Sequence, residues 1–445
     1  MPAIDISERP NRSAIREVLF LLGIVSGDAC GGICWCFLIM VSLSKNSSSL
    51  YKLLFSSVIW VGLGLILAAH CQSAPADSDA PARGSSATSD FIEDLEYTRI
   101  AAALERYERI AESGGWPVLP PGPTMGPGST DPRTPLLMKR LAATGDLVGD
   151  VQSGQAFDDV IEAAVIRFQV RHGLEPDGLV GKKTLRAMNI PIAERVAQLG
   201  INLERIAGVL RADRKDYLLV NVPAYEIYLV RGETTLWDAK VIVGEPETET
   251  PLFESAITHV VFNPTWTVPR KIASEELLPK IQEDINFLTA GGYKVVDVNG
   301  STVEPQDIDW MNLDKTNFPY TLVQQPGPMN ELGLIKFLFP NDYGVCMHDT
   351  ASRYLFENSS RALSHGCIRV DEPLDLAEHL LRAHGWNRDQ IDEQIRRGET
   401  LTVTLAPPVP LYVTYLTARV SEDNTVFFYR DIYGRDVTSE TSSPN

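Results

Sequence analysis

The sequence predicts an α+β multidomain chain, in which a β-rich domain with a helical insertion follows a small three-helix domain. Three observations predict it. From residue 90 to about residue 210, apolar side chains recur at helical spacing. From Tyr217 onward they alternate instead, in runs rich in β-branched residues. That alternation is broken between Arg270 and Gly327 by a helical and acidic stretch, and it resumes at Leu334.

The chain has 445 residues, 44% hydrophobic and 22% charged, which suits about two to four domains with cores of their own. Its net charge is −18, and residues 1–76 hold five basic and four acidic side chains, so the remainder carries −19. A balance this acidic argues against a nucleic-acid partner, whose phosphates require basic side chains.

Residues 1–76 form an apolar signal or anchor region. Leu53–Ala69 follows Lys45 and Lys52 and precedes Ala74-Pro75-Ala76. Basic, apolar, then small is the order of an export signal, which can also be retained as a membrane anchor. An earlier stretch, Val18–Leu43, is interrupted by Asp28 and glycines. If both stretches spanned a membrane, Lys45 and Lys52 would lie on the far side, against the positive-inside tendency. Translation is therefore expected to start at Met40, and the protein to be periplasmic, either free or tethered to the inner membrane. Four of the six cysteines fall in this region, leaving Cys346 and Cys367 in the folded body and no disulfide framework.

Residues 77–89, rich in Ser, Ala, Pro and Asp, read as a linker. Residues 90–129 are a helical support segment: Leu95, Ile100, Leu104, Tyr107 and Ile110 share one side, and Gly114-Gly115 stops the helix. Residues 130–190 form the small helical domain, with Val160, Ile161, Ala164, Val165 and Phe168 on a buried face and a turn at Pro176-Asp177-Gly178. A connecting helix occupies 191–214. The β-rich domain, 215–435, opens with strands over Tyr217–Val230, Thr235–Val243 and Ala256–Phe262, turning at Arg231-Gly232-Glu233. Within the insertion, about 270–327, a helix is expected over Ser274–Asn286. Helices over Pro373–Arg382 and Asp389–Arg397 follow, then strands over Thr400–Leu405 and Pro410–Thr417. Phe427–Tyr433 closes the domain, and 436–445 is a polar tail.

The chemistry is concentrated in Gly344–Val370, around Ser364-His365-Gly366-Cys367-Ile368-Arg369, with His348 nineteen residues before Cys367. A thiol within reach of an imidazole becomes a nucleophile, because the ring lowers its pKa and takes its proton. Gly366 permits a tight turn that would aim the N–H groups around Cys367 at a developing oxyanion. The pattern reads as acyl transfer through a thioester. Two histidines compete for the role of base. His365 is two residues from the thiol, whereas His348 ends an alternating run, Gly344–His348, that reads as a strand. A strand holds a ring more rigidly than a loop does. His348 is therefore the expected base, and His365 shapes the pocket or donates to the oxyanion. Cys346 reads as a buried small hydrophobe. One rival is zinc held by Cys346, His348, His365 and Cys367, but the x1 pairs are tighter than usual ligand spacing, so no metal or other cofactor is expected. The other is a Cys346–Cys367 disulfide, which would silence the thiol.

His348, the intervening loop and SHGCIR resemble the signature of L,D-transpeptidases with a YkuD-type catalytic domain. Over about residues 90 to 435 the chain is similar to the large LdtD-like branch. FQVRHGLEPDGLVGKKTLRAMN resembles the three-helix peptidoglycan-binding domain, with Phe168, Gln169, Gly173, Leu174, Asp177, Gly178, Gly181 and Thr184 at its recurrent positions. The resemblance implies Cys367 as nucleophile, His348 as base oriented by a carbonyl at or beside Asp349, and Arg369 for a substrate carboxylate. Ser364, Tyr343 and Trp266 would line the cleft, and the insertion would be a lid that excludes water from the thioester. It also implies the activity: 3–3 cross-links between peptidoglycan stem peptides, with a tetrapeptide donor, a diaminopimelate acceptor and susceptibility to carbapenems. Alternatives with the same nucleophile are an L,D-carboxypeptidase and a transferase that attaches lipoprotein to the wall. A non-catalytic wall-binding scaffold is a further alternative.

Overall fold

The computed structural model describes residues 89–148, 156–209, 216–232 and 234–436. The expected signal, anchor, Met40 start and linker up to residue 88 lie outside them, as does the tail beyond Asp436. Among the described residues no helix is long and apolar enough to cross a membrane.

The α+β multidomain architecture expected from the sequence is the one observed. Helix Ser89–Glu112 buries Ile100, Ala103 and Tyr107 against Leu199 and Ile206 of helix Ile192–Val209. The same cluster takes in Val420, Val426 and Phe428, from a hairpin near the C-terminus. Phe427–Tyr433 therefore does not simply close the β-domain. Its first residues serve the helical layer, while Tyr433 returns to the β-domain and donates its hydroxyl to the Gly244 carbonyl at 2.7 Å.

The small domain is built from helices Thr134–Ala143, Asp159–Arg171 and Lys182–Met188. Asp158 caps the second by accepting from the Ile161 N–H at 3.0 Å, a contact worth about 1 kcal/mol. Ile161, Ala164, Val165 and Phe168 are buried as expected, but Val160 is 48% exposed, because it sits one residue past the edge of the apolar stripe. The Gln169 side chain is the knot of this domain. Its amide donates to Asp177, to the Leu179 carbonyl and to Thr184, and its oxygen accepts from the Gly178 N–H. Four of the positions that carry the resemblance are thus spent on holding a turn.

The β-domain contains strands β1 (Asp216–Asn221), β2 (Glu226–Arg231), β3 (Thr234–Gly244) and β4 (Phe253–Phe262). The insertion carries β5 (Trp266–Thr267), β6 (Tyr293–Val296), β7 (Thr302–Val303) and β8 (Thr321–Gln324). After it come β9 (Ile335–Leu338), β10 (Met347–His348), β11 (Ala362–Ser364), β12 (Ile368–Val370) and β13 (Leu401–Thr414). The hairpin of the helical layer is β14 (Ala418–Val420) and β15 (Val426–Phe428). Nine strands form one sheet in the order β11-β3-β12-β10-β9-β4-β13-β1-β2, and β2 also pairs with β3, which curls the sheet back on itself. Its apolar face, including Ile335, Phe337, Met347, Ile368 and Val370, is covered by helices Pro373–Leu381 and Arg388–Arg397.

Two expected strands, Thr400–Leu405 and Pro410–Thr417, are the single β13, whose register against β4 breaks between Thr404 and Val409. Pro407 and Pro408 fall in the break and lack the N–H a ladder needs. The insertion has a sheet of its own, β5-β8-β6-β7, and a separate core that includes Leu277, Leu278, Ile281, Trp310 and Phe318. Its sheet begins at Trp266, ahead of the expected start near 270. The helix expected over Ser274–Asn286 is broken. A π turn, Ala273–Leu277, precedes helix Leu278–Glu283, and the chain extends at Asp284 before helix Asn286–Ala290. Pro279 explains the first irregularity: with no N–H to offer the preceding turn, it leaves that turn free to widen.

Candidate active site

The expected strand Gly344–His348 is only Met347–His348, because Gly344 has φ 68° and Asn341 replaces a ladder partner for Val345. The Asn341 side chain accepts from the Val345 N–H at 3.0 Å and donates to its carbonyl at 2.8 Å. β10 then runs parallel to β12, pairing Met347 with Ile368 and His348 with Arg369. One step back in this register sets Cys346 beside Cys367. The Ile368 N–H donates to the Cys346 carbonyl at 2.9 Å, and the two sulfurs lie 3.3 Å apart. The Cys346 N–H also points at the Cys367 sulfur, at 3.4 Å. A ring nitrogen of His348 and both sulfurs all lie within 4.8 Å of one another.

His348 is buried, and its Nδ1 is 2.5 Å from the backbone carbonyl of Asp349. A carbonyl can only accept, so Nδ1 carries the proton and Nε2 is left to exchange one with substrate. Asp349 is fixed in turn. One carboxylate oxygen accepts from the Leu334 N–H at 2.8 Å and the other from Arg353 at 2.9 Å. Gly333, at φ 60°, permits this approach, since a Cβ there would stand 2.3 Å from the Asp349 carboxylate. Neither Gly333 nor Arg353 stands out in the sequence. What couples them to His348 is the pairing of β9 with β10.

The Cys367 thiol is held well below the usual thiol range, chiefly by the hydrogen bond from the Cys346 thiol. Burial opposes the shift, while the hydrogen bond and charge of His348 and the Cys346 N–H add to it. Cys346 is pushed the other way by that same bond and by burial, and so stays a thiol. Cys346 is therefore more than a small hydrophobe: it is the second group on the nucleophile.

The motif turn is braced from inside. Ser364 is buried, its hydroxyl donating to the Cys367 carbonyl at 2.6 Å and accepting from the Gly366 N–H at 3.2 Å. Thr250 donates to the Gly366 carbonyl and Thr248 to that of Ser364, both at 3.0 Å. Ser364, expected in the cleft, instead shapes the turn. Gly366, expected to permit the tight turn before Cys367, has φ 106°, and its own N–H is given to Ser364. His365 is not beside the thiol either. It is 52% exposed, and its Nε2 lies 2.9 Å from Glu276 in the π turn of the insertion. β11 ends at Ser364 and the chain bends through His365 and Gly366, the latter at φ 106°, so the alternation that would put residues 365 and 367 on one face does not hold. Among the described residues, the cluster of ligand-type side chains is Cys346, His348 and Cys367, without the His365 of the four-ligand zinc set.

Arg369 and Lys336 flank His348 in register, on β12 and β9. In-register neighbours share a face, so two cations border the imidazole. Trp266 lies in β5 and packs on the core of the insertion. Tyr343 is exposed and stacks on Phe253, with ring centroids 5.7 Å apart. Among the described residues it makes no hydrogen bond or ring contact with Cys367 or His348.

Comparison with known proteins bears on this arrangement. Residues 215–402 match the YkuD family, described as the L,D-transpeptidase catalytic domain, and residues 130–188 match a family described as "Putative peptidoglycan binding domain". Residues 215–402 are thus similar to the YkuD catalytic domain, and residues 130–188 to the peptidoglycan-binding domain. It is 34% identical over 239 residues to a "Putative L,D-transpeptidase" of Haemophilus influenzae, a match covering 54% of this chain. The match spans 48% of that relative, so the chain covers about half the length of the curated protein it resembles. Similar solved structures include an L,D-transpeptidase from Xylanimonas cellulosilytica, at 14% identity, covering 66% of this chain and 99% of that one, with a TM-score of 0.21. Another is from Stackebrandtia nassauensis, at 13% identity, 65% and 96% coverage and a TM-score of 0.24.

Proposed function

We propose that this protein is an L,D-transpeptidase that forms 3–3 cross-links in peptidoglycan through a thioester on Cys367. The observation that carries the proposal is the Cys367 sulfur with the Cys346 N–H, the Cys346 thiol and a His348 ring nitrogen around it, in a stretch that matches the YkuD family. The Cys367 thiolate attacks the carbonyl at the L-centre of diaminopimelate in a donor tetrapeptide. The tetrahedral intermediate expels D-Ala, whose amine takes a proton from His348 Nε2, and a thioester remains. The side-chain amine of diaminopimelate on a second stem then attacks. Its proton passes to His348, the amide forms, and the thiolate is regenerated. Arg369, with Lys336 across the imidazole, fits a substrate carboxylate.

The insertion, with its own core and a contact to His365, is suited to cover the site, which favours an amine over water as acceptor. That insertion also supports placement in the LdtD-like branch. A periplasmic location, reached through the apolar segment before residue 77, completes the proposal. Purified tetrapeptide stems incubated with the protein test it by mass spectrometry. Dimeric product plus free D-Ala, lost in Cys367→Ala, is expected. Tripeptide and D-Ala alone would instead make the enzyme a carboxypeptidase.

A further inference from the structure

The nucleophile has a second thiol in register beside it, and the proposed transpeptidation does not require a sulfur there. Cys346 and Cys367 each stand one residue before the paired Met347 and Ile368, at the start of two parallel strands whose spacing of about 4.8 Å is inside the window a disulfide accepts between Cα atoms. Their sulfurs lie 3.3 Å apart, so roughly 1.3 Å of approach separates them from the 2.03–2.05 Å of a bond. Side-chain rotation can supply that without moving the strands. They are also the two free cysteines among the described residues.

We propose that Cys346 and Cys367 form a reversible intramolecular disulfide, which makes the catalytic motif a redox-modification site. The oxidant is a disulfide, either a small molecule or a dithiol–disulfide oxidoreductase. The Cys367 thiolate attacks one of its sulfurs and displaces the other as a thiolate, leaving a mixed disulfide on Cys367. Cys346 then gives up its proton and attacks the Cys367 sulfur, expelling the second thiolate. Two electrons pass from the two cysteines to the oxidant, whose sulfurs leave as two thiols carrying the two cysteine protons.

The division of labour follows from the site. Cys367, ionised and bordered by His348, is the attacking sulfur, whereas Cys346, kept as a thiol, resolves the adduct. Oxidation blocks the nucleophile while shielding it from the irreversible sulfinic and sulfonic states. Loss of activity on oxidation rests on the reading of Cys367 as nucleophile. Formation of the bond does not.

The test uses the full, reduced chain treated with oxidised glutathione and digested with trypsin without reductant. Fragments 337–353 and 362–369, which hold Cys346 and Cys367, are expected as one linked species that reductant separates. In Cys346→Ser the 362–369 fragment is expected to carry glutathione instead. Wild-type protein in which Cys367 keeps glutathione unresolved, or links to a cysteine other than Cys346, would overturn the proposal. If the linked species forms in a protein that never turns over stem peptides, the redox site stands and the proposed activity falls.

Discussion

The Nδ1–H of His348 is donated to the backbone carbonyl of Asp349, the next residue in the chain. That contact fixes the tautomer and turns Nε2 toward the reacting groups, so the ring is held by its own strand end. Its geometry depends on Asp349, which the Leu334 N–H and Arg353 hold in place.

Gly333→Ala should therefore damage the site from a distance. The new Cβ would meet the Asp349 carboxylate at 2.3 Å and would sit at φ 60°. We expect a loss of at least about 2 kcal/mol in stability together with slower acylation of Cys367. Thermal denaturation and the rate of acylation by a carbapenem measure the two. A variant of unchanged stability and rate would show that Asp349 is not held as described.

The lowered pKa of Cys367 sets a pH signature. A depressed thiol pKa means the thiolate persists as pH falls, so alkylation of fragment 362–369 should remain fast well below the range in which ordinary thiols, with pKa about 8.5, lose reactivity. Because the Cys346 hydrogen bond is the largest cause, Cys346→Ala should move the inflection toward higher pH. An inflection in the ordinary range for wild-type protein would contradict this electrostatic account.

Arg369→Ala should lower kcat/KM for donor stems about tenfold to a hundredfold, the size of a lost charge-assisted hydrogen bond. Lys336→Ala should produce a smaller loss in the same direction. Both losses should disappear with a donor whose diaminopimelate carboxylate is amidated. Equal losses on both donors would mean that these cations are structural.

The contact of His365 with Glu276 joins the motif to the insertion, and both side chains are substantially exposed. An exposed pair contributes at most about 1 kcal/mol, so Glu276→Gln should leave the melting temperature nearly unchanged. If the insertion excludes water, the same variant should raise the share of acyl-enzyme lost to hydrolysis. Partition between tripeptide and dimer, measured at fixed acceptor concentration, reads this out.

The site was legible where it is contiguous. Cys367 and His348 could be paired because His348, the loop after it and SHGCIR together resemble a long signature, and the structure brings the two side chains within 4.8 Å. The broad β-rich and helical domains followed from periodicity. What escaped depends on register. Nothing local marks Gly333 or Arg353 as supports for His348 until β9, β10 and β12 are paired. The sequence offers Cys346 as a small hydrophobe or as a partner of Cys367 in zinc or a disulfide, not as a hydrogen-bond partner of the nucleophile. His365 and Ser364 were misplaced for the opposite reason. Proximity in sequence suggested a shared cleft, whereas the bend through His365 and Gly366 sends one to the insertion and buries the other inside the turn. The broken helix after Arg270 shows that apolar spacing survives a π turn and so cannot reveal one.

The most direct measurement is mass analysis of the full chain after exposure to a carbapenem, with tryptic mapping of the adduct. A single acyl group on fragment 362–369, absent in Cys367→Ala, is the predicted result. An adduct on any other fragment, or one that persists in Cys367→Ala, would contradict the assignment of Cys367 as the acyl-bearing nucleophile.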